Sequence, residues 1–115
     1  MRNLNTSDTF KFVRMIRDLN LKEEIRKIIL DLNAASKGDK ESKENKMDVG
    51  FNIIFTLIEK IAEENSEKAL YEFLSGPFEI NAEEVGKIEI FDLVEKVMQI
   101  ATIDKWKSFL KLAIR

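Results

Sequence analysis

A chain of 115 residues with 44% hydrophobic and 35% charged side chains can bury one core of ordinary size, and its Leu, Ile, Val and Phe are too plentiful for a disordered polyelectrolyte. The absence of cysteine and histidine excludes a disulfide framework, a thiolate nucleophile, the usual zinc sites and the commonest general base. The net charge of −2 conceals basic ends and an acidic middle: residues 1–37 carry +3, 38–58 −1, 59–95 −8 and 96–115 +4.

A helical period runs through nearly the whole chain, which holds only one proline and four glycines. The first predicted helix opens at Thr6 or Ser7 as cap and runs to about Leu19. Asn20, with Glu23 three residues on, then reads as the capping box of a second helix, whose stripe is Leu21, Ile25, Ile28, Ile29 and Leu32. Residues 36–46 (SKGDKESKENK) contain no apolar side chain and read as an exposed polar linker. The third helix is expected from about Met47 to Glu64, and its wide apolar arc predicts a central position. Ser66 is the expected cap of a fourth helix that stops at Gly76-Pro77. Residues 78–87 are ambiguous, with Asn81-Ala-Glu-Glu able to start one turn. A fifth helix is expected over 89–101 and a sixth over 102–114, with Trp106, Phe109, Leu110 and Ala113 on one face.

The chain also aligns with itself. An offset of 36 pairs Gly50 with Gly86, Phe55 with Phe91, Ser66 with Thr102 and Phe73-Leu74 with Phe109-Leu110. An offset of 45 pairs Phe10 with Phe55, Ile16 with Ile61 and Asn20 with Asn65. Shared helical vocabulary and true duplication both account for these matches. Either way, the expected fold is all-α: about six helices arranged as three αα-hairpins in one compact domain spanning 1–115.

Raw material for catalysis is sparse. Glu23-Glu24, Glu63-Glu64 and Glu83-Glu84 are sequence neighbours, which on a helix point about 100° apart and do not converge on one atom. A di-metal carboxylate bundle needs Glu-x-x-His elements, and the linker lacks the alternating oxygen ligands and central glycine of a calcium loop. The serines sit at expected caps, in the linker or near helix ends, and no glycine-rich phosphate cradle is present. A non-enzymatic protein with no catalytic residue, cofactor or metal is expected. No stretch approaches the ~20 apolar residues of a bilayer span, and the N-terminus has no apolar core of a signal peptide. A cytoplasmic protein is the expectation, with no membrane partner.

Surplus apolar surface is more informative. Phe10 lies nearly opposite Leu19 on the first helix, whose stripe includes Met15, while Leu30 and Leu112 point away from the stripes of their own helices. These residues read either as second core faces or as a docking surface for another helix or a second copy. Trp106 and Phe109, flanked by Lys105, Lys107 and Lys111, suit an anchor, or a core wrapped by lysine stems. The candidate interaction residues are therefore Phe10, Met15, Leu19, Leu30, Trp106, Phe109 and Leu112.

Three phrases carry a resemblance. Leu4-Asn-Thr-Ser-Asp-Thr-Phe10 leads into a basic amphipathic helix; Gly50-Phe-Asn-Ile-Ile-Phe-Thr-Leu-Ile-Glu-Lys-Ile61 follows the polar linker; a Glu-rich segment ends in Asp104-Lys-Trp-Lys-Ser-Phe-Leu-Lys111. The chain resembles the small helical tail assembly chaperones of tailed phages and prophages of Gram-positive bacteria. That resemblance implies a protein that keeps a long helical tape measure protein soluble, recruits tail tube subunits, and is absent from the mature virion. The alternatives are a small helical DNA-associated regulator using the basic ends, or a homo-oligomeric adaptor. Nucleic acid is not the expected partner, because the basic residues do not gather in one run.

Overall fold

Local stop signals divide the chain at three left-handed residues, Asn20, Asn65 and Glu79, with φ of 55°, 51° and 58°. At each, the N–H of that residue and of the next fold back onto the carbonyls of the preceding turn: Asn20 onto Arg17 and Leu21 onto Ile16, Asn65 onto Ala62 and Ser66 onto Ile61, Glu79 onto Gly76 and Ile80 onto Ser75. Orphan carbonyls at three helix ends are satisfied this way. Asn20 therefore ends the first helix and does not cap the second. Asparagine serves both roles, and the tight connection favours its tolerance of left-handed backbone.

The computed structural model describes residues 1–35 and 43–114. Among the described residues there are seven helices and no strand: α1 (Thr6–Leu19), α2 (Lys22–Ala35), α3 (Lys43–Glu63), α4 (Glu67–Phe78), α5 (Ala82–Val85), α6 (Ile90–Gln99) and α7 (Ile103–Ala113). The cap of α1 is Asn5, not Thr6 or Ser7. Its side chain accepts from the Asp8 N–H at 3.1 Å while the Asp8 carboxylate accepts from the Asn5 N–H at 2.8 Å, a closed capping box. α3 begins four residues before the expected Met47, inside the stretch read as linker; residues 36–42 of that stretch lie outside the described residues. Ser66 precedes α4 without a side-chain cap bond, its hydroxyl donating instead to the Glu64 carbonyl. α4 also continues through Gly76-Pro77 to Phe78, because Pro77 falls in the last turn and the left-handed Glu79 makes the stop. Asn81 does cap a single turn, and Glu89 and Thr102 cap α6 and α7 with bonds to Phe91 and Asp92 and to Lys105.

The larger helix–helix contacts join α2 to α3 and α7, α3 to α4 and α6, α1 to α4 and α7, and α4 to α5. Of the three expected hairpin pairs, only α3 with α4 is among these. At the centre, Phe12 of α1 meets Phe73 of α4 at 4.8 Å and Phe109 of α7 at 5.2 Å between ring centroids, and Trp106 stands edge-on to Phe109 at 5.7 Å. Residues 1–5 run as a strap across this centre: the Arg2 N–H donates to the Pro77 carbonyl and the Leu4 N–H to that of Ile100.

α3 and α6 pack closely at Gly50. A Cβ there would stand 2.7 Å from Cγ1 of Val94 and 2.9 Å from Cγ of Met98, both buried. Gly50→Ala is expected to destabilise the fold by about 1 kcal/mol, since the ~1 kcal/mol gain in helix propensity is outweighed by ~1–3 kcal/mol of overpacking. Equilibrium urea unfolding measures the sign. A stabilised variant would mean that α6 can retreat from α3 at little cost.

Candidate protein-docking surface

The sequence-selected residues divide by burial. Trp106 is 2% exposed, and Met15 and Phe109 are also buried, so these three are built into the core. Of the lysines around Trp106, Lys105 and Lys111 are exposed and Lys107 is half-buried. Leu19 is half-buried. With Met15 and Phe73 it lines an open groove of about 640 Å³ between α1 and α4, rimmed by Lys11, Arg14, Asp18 and Glu72. Phe10 is 61% exposed, and Leu30 and Leu112 are exposed too, each off the buried stripe of its helix. Phe10, Leu30 and Leu112 sit on three different helices.

A contiguous apolar surface does exist elsewhere, on α3 and α6. Phe51 stacks on Phe55 at 5.5 Å and 15° between rings, and meets Phe91 edge-on at 5.6 Å and 80°. Phe55 is 43% exposed and Phe91 57%, so the cluster faces solvent although each ring has an aromatic neighbour. Helix geometry explains it. Phe51 and Phe55 are one turn apart on α3, and Gly50 lets α6 come close enough for Phe91 to reach Phe51.

The two helices run antiparallel, since Gly50 lies against Val94 and Met98 while Ile58 and Ile61 line one pocket with Ile90 and Leu93. The same α3 face therefore continues from the aromatic cluster, through Ile58 and Ala62, into a mostly apolar pocket of about 210 Å³ closed by Val85, Ile88 and Ile90. Its rim is acidic. Glu59 is one turn from Phe55, Glu95 one turn from Phe91, and Asp92 is adjacent; all three are exposed, and none pairs with a cation among the described residues.

Sequence reasoning placed α3 centrally and so passed over Phe55, and it did not single out Phe91 on α6. The signal lay in the self-alignment, which puts Phe10, Phe55 and Phe91 in one register, and all three are exposed. Comparison with known protein families, curated proteins and solved structures finds no match. No group of three or more metal-ligating side chains is gathered among the described residues, and no helix there is long and apolar enough to cross a membrane.

Proposed function

We propose that this chain is a non-enzymatic protein-binding chaperone whose α3–α6 surface holds an apolar helix of a client, the tape measure protein being the client that the resemblance to tail assembly chaperones implies. One observation carries the reading: a solvent-facing aromatic cluster, Phe51, Phe55 and Phe91, lies about one helical turn along α3 from Ile58, which lines a mostly apolar pocket. A helix laid along α3 and α6 would set one large side chain in the pocket and stack others on the rings, the common helix-in-groove mode. Phenylalanines left in water are costly to keep without a partner, and a contiguous apolar patch marks an interaction site more often than a lone exposed leucine does.

The test is co-expression with a tape measure protein encoded beside its gene. The client should stay soluble and be captured as a complex. Phe55→Ala and Phe91→Ala should each weaken capture at least about tenfold, a loss of ~1.4 kcal/mol. The same substitutions should cost no more than about 2 kcal/mol of unfolding free energy each, well below a core phenylalanine, because each removes one aromatic pair and a side chain that is only partly buried. A neighbourhood without such a gene, a client that stays insoluble, or variants that bind as well as the parent would each defeat the reading.

A further inference from the structure

The α3–α6 surface is acidic at its rim, and the chain itself carries a face of opposite character. On α1, Phe10, Arg14 and Arg17 are spaced i, i+4 and i+7 and form one stripe on the side away from the core. All three are exposed. Arg14 meets no carboxylate among the described residues, and the nearest to Arg17 is its neighbour Asp18 at 3.7 Å. This stripe is an aromatic anchor followed by two guanidinium groups over roughly 10 Å of helix, at ~1.5 Å per residue. The opposing surface is an exposed aromatic cluster with carboxylates on both sides, because the helices run antiparallel: Glu59 lies beyond Phe55 on α3, and Asp92 and Glu95 lie toward the other end on α6.

From this complementarity we infer that the chain associates with itself head to tail, the α1 face of one copy (Phe10, Arg14, Arg17) seating on the Phe51–Phe55–Phe91 surface of the next. A symmetric pairing of two α3–α6 surfaces is disfavoured, because it would set Glu59, Asp92 and Glu95 against their own copies. Two α1 faces would likewise oppose arginines. The mixed pairing joins rings to a ring and cations to carboxylates. On α1 the larger contacts are with α4 and α7, not with α3 or α6, so one chain can offer both surfaces to different neighbours. Because the two surfaces differ, the contact repeats, and growth ends only in a ring or an open chain. Association of this kind covers the apolar patch until a client helix displaces the neighbouring α1. The inference takes from the proposed function only that the α3–α6 surface docks a helix, and no client enters its test, so the two can fail separately.

Sedimentation velocity on the purified chain over a concentration series provides that test. At low salt the weight-average mass should rise with concentration, and at high salt it should fall back toward one chain, as screening weakens the charged rim. Arg14→Glu with Arg17→Glu should give a folded monomer, as should Phe55→Ala with Phe91→Ala; far-UV circular dichroism confirms the fold of each. An equimolar mixture of the two variants retains one intact α1 face and one intact α3–α6 surface. It should form a complex of two chains and nothing larger. A parent that stays monomeric throughout, association that survives both pairs of substitutions, or a mixture that remains monomeric overturns the inference.

Discussion

Trp106→Ala is expected to lower the unfolding free energy by about 3–5 kcal/mol, the range for deleting a fully buried large aromatic side chain. Two losses combine. The indole fills the space beside Phe109, edge-on at 5.7 Å, and only 2% of the residue reaches solvent. Its Nε1–H also donates to the Val97 carbonyl at 2.9 Å, in the last turn of α6, where the helix itself runs out of donors. Trp106→Phe separates these terms: it keeps a ring in the cavity but leaves that carbonyl unsatisfied, for an expected cost of about 1–3 kcal/mol. For a chain of this size, whose total stability is of order 5–15 kcal/mol, the alanine variant sits near the threshold of folding. Phe10→Ala, by contrast, should leave stability within about 0.5 kcal/mol of the parent. Urea unfolding followed by circular dichroism measures all three. A Trp106→Ala chain as stable as the parent would place the indole outside the core.

That contrast shows what periodicity reads well. Phe10, Leu30 and Leu112 point away from the apolar stripes of their helices, and the structure leaves all three exposed. The stripe through Trp106, Phe109, Leu110 and Ala113 is the buried face of α7. Both follow from a period of about 3.6 residues, which fixes which side chains share a face but not what each face meets. The misreadings fall where one residue type serves two purposes. Asn20 is a good start signal and a good left-handed stop, and only the bonds from Asn20 and Leu21 back to Arg17 and Ile16 decide between them. Gly76-Pro77 reads as a terminator, yet the proline sits late enough in α4 for the helix to run on to Phe78.

The docking surface was harder to read because its parts come from separate helices. Nothing local distinguishes Phe55 from the buried Ile54 beside it; their difference in exposure is set by where α6 lies, and that depends on the close approach at Gly50. Helix pairing is equally non-local. The self-alignment predicts which helices resemble one another, whereas the larger contacts join α1 to α4 and α7 and α2 to α3 and α7, which follow from the shapes of whole faces. Acidic rim residues were visible as a run of charge between 59 and 95. Their position beside three phenylalanines was not.

Asp8→Ala should cost about 2–3 kcal/mol, the second large effect expected outside the apolar core. Asp8 is the one fully buried charged residue among those described. Its carboxylate takes two bonds from Arg2, at 2.7 and 3.1 Å, and a third from the Asn5 N–H at 2.8 Å. Losing the carboxylate's half of the capping box costs ~1 kcal/mol, and breaking a fully desolvated pair costs ~3–5 kcal/mol. The pair term is discounted here because the Arg2 side chain is 34% exposed and can return to water. Its hydrogen bond to Asp8 holds the Arg2 guanidinium above its ordinary pKa, with burial opposing. A raised cation pKa contributes stability below the ordinary value and loses it only as pH climbs through the raised one, so the Arg2 contribution should be constant through neutrality and vanish only in strong alkali. Added salt should also leave it nearly unchanged, unlike the association through Arg14 and Arg17. Packing explains the glycine opposite: a Cβ on Gly76 would stand 3.0 Å from Nη2 of Arg2 and 3.1 Å from Oδ1 of Asp8. A double-mutant cycle with Arg2→Ala should return a coupling of about 1–3 kcal/mol. Zero coupling would assign the strap's contribution to its backbone bonds with Pro77 and Ile100, and leave Asp8 acting only as the third-position partner of Asn5 in the capping box of α1.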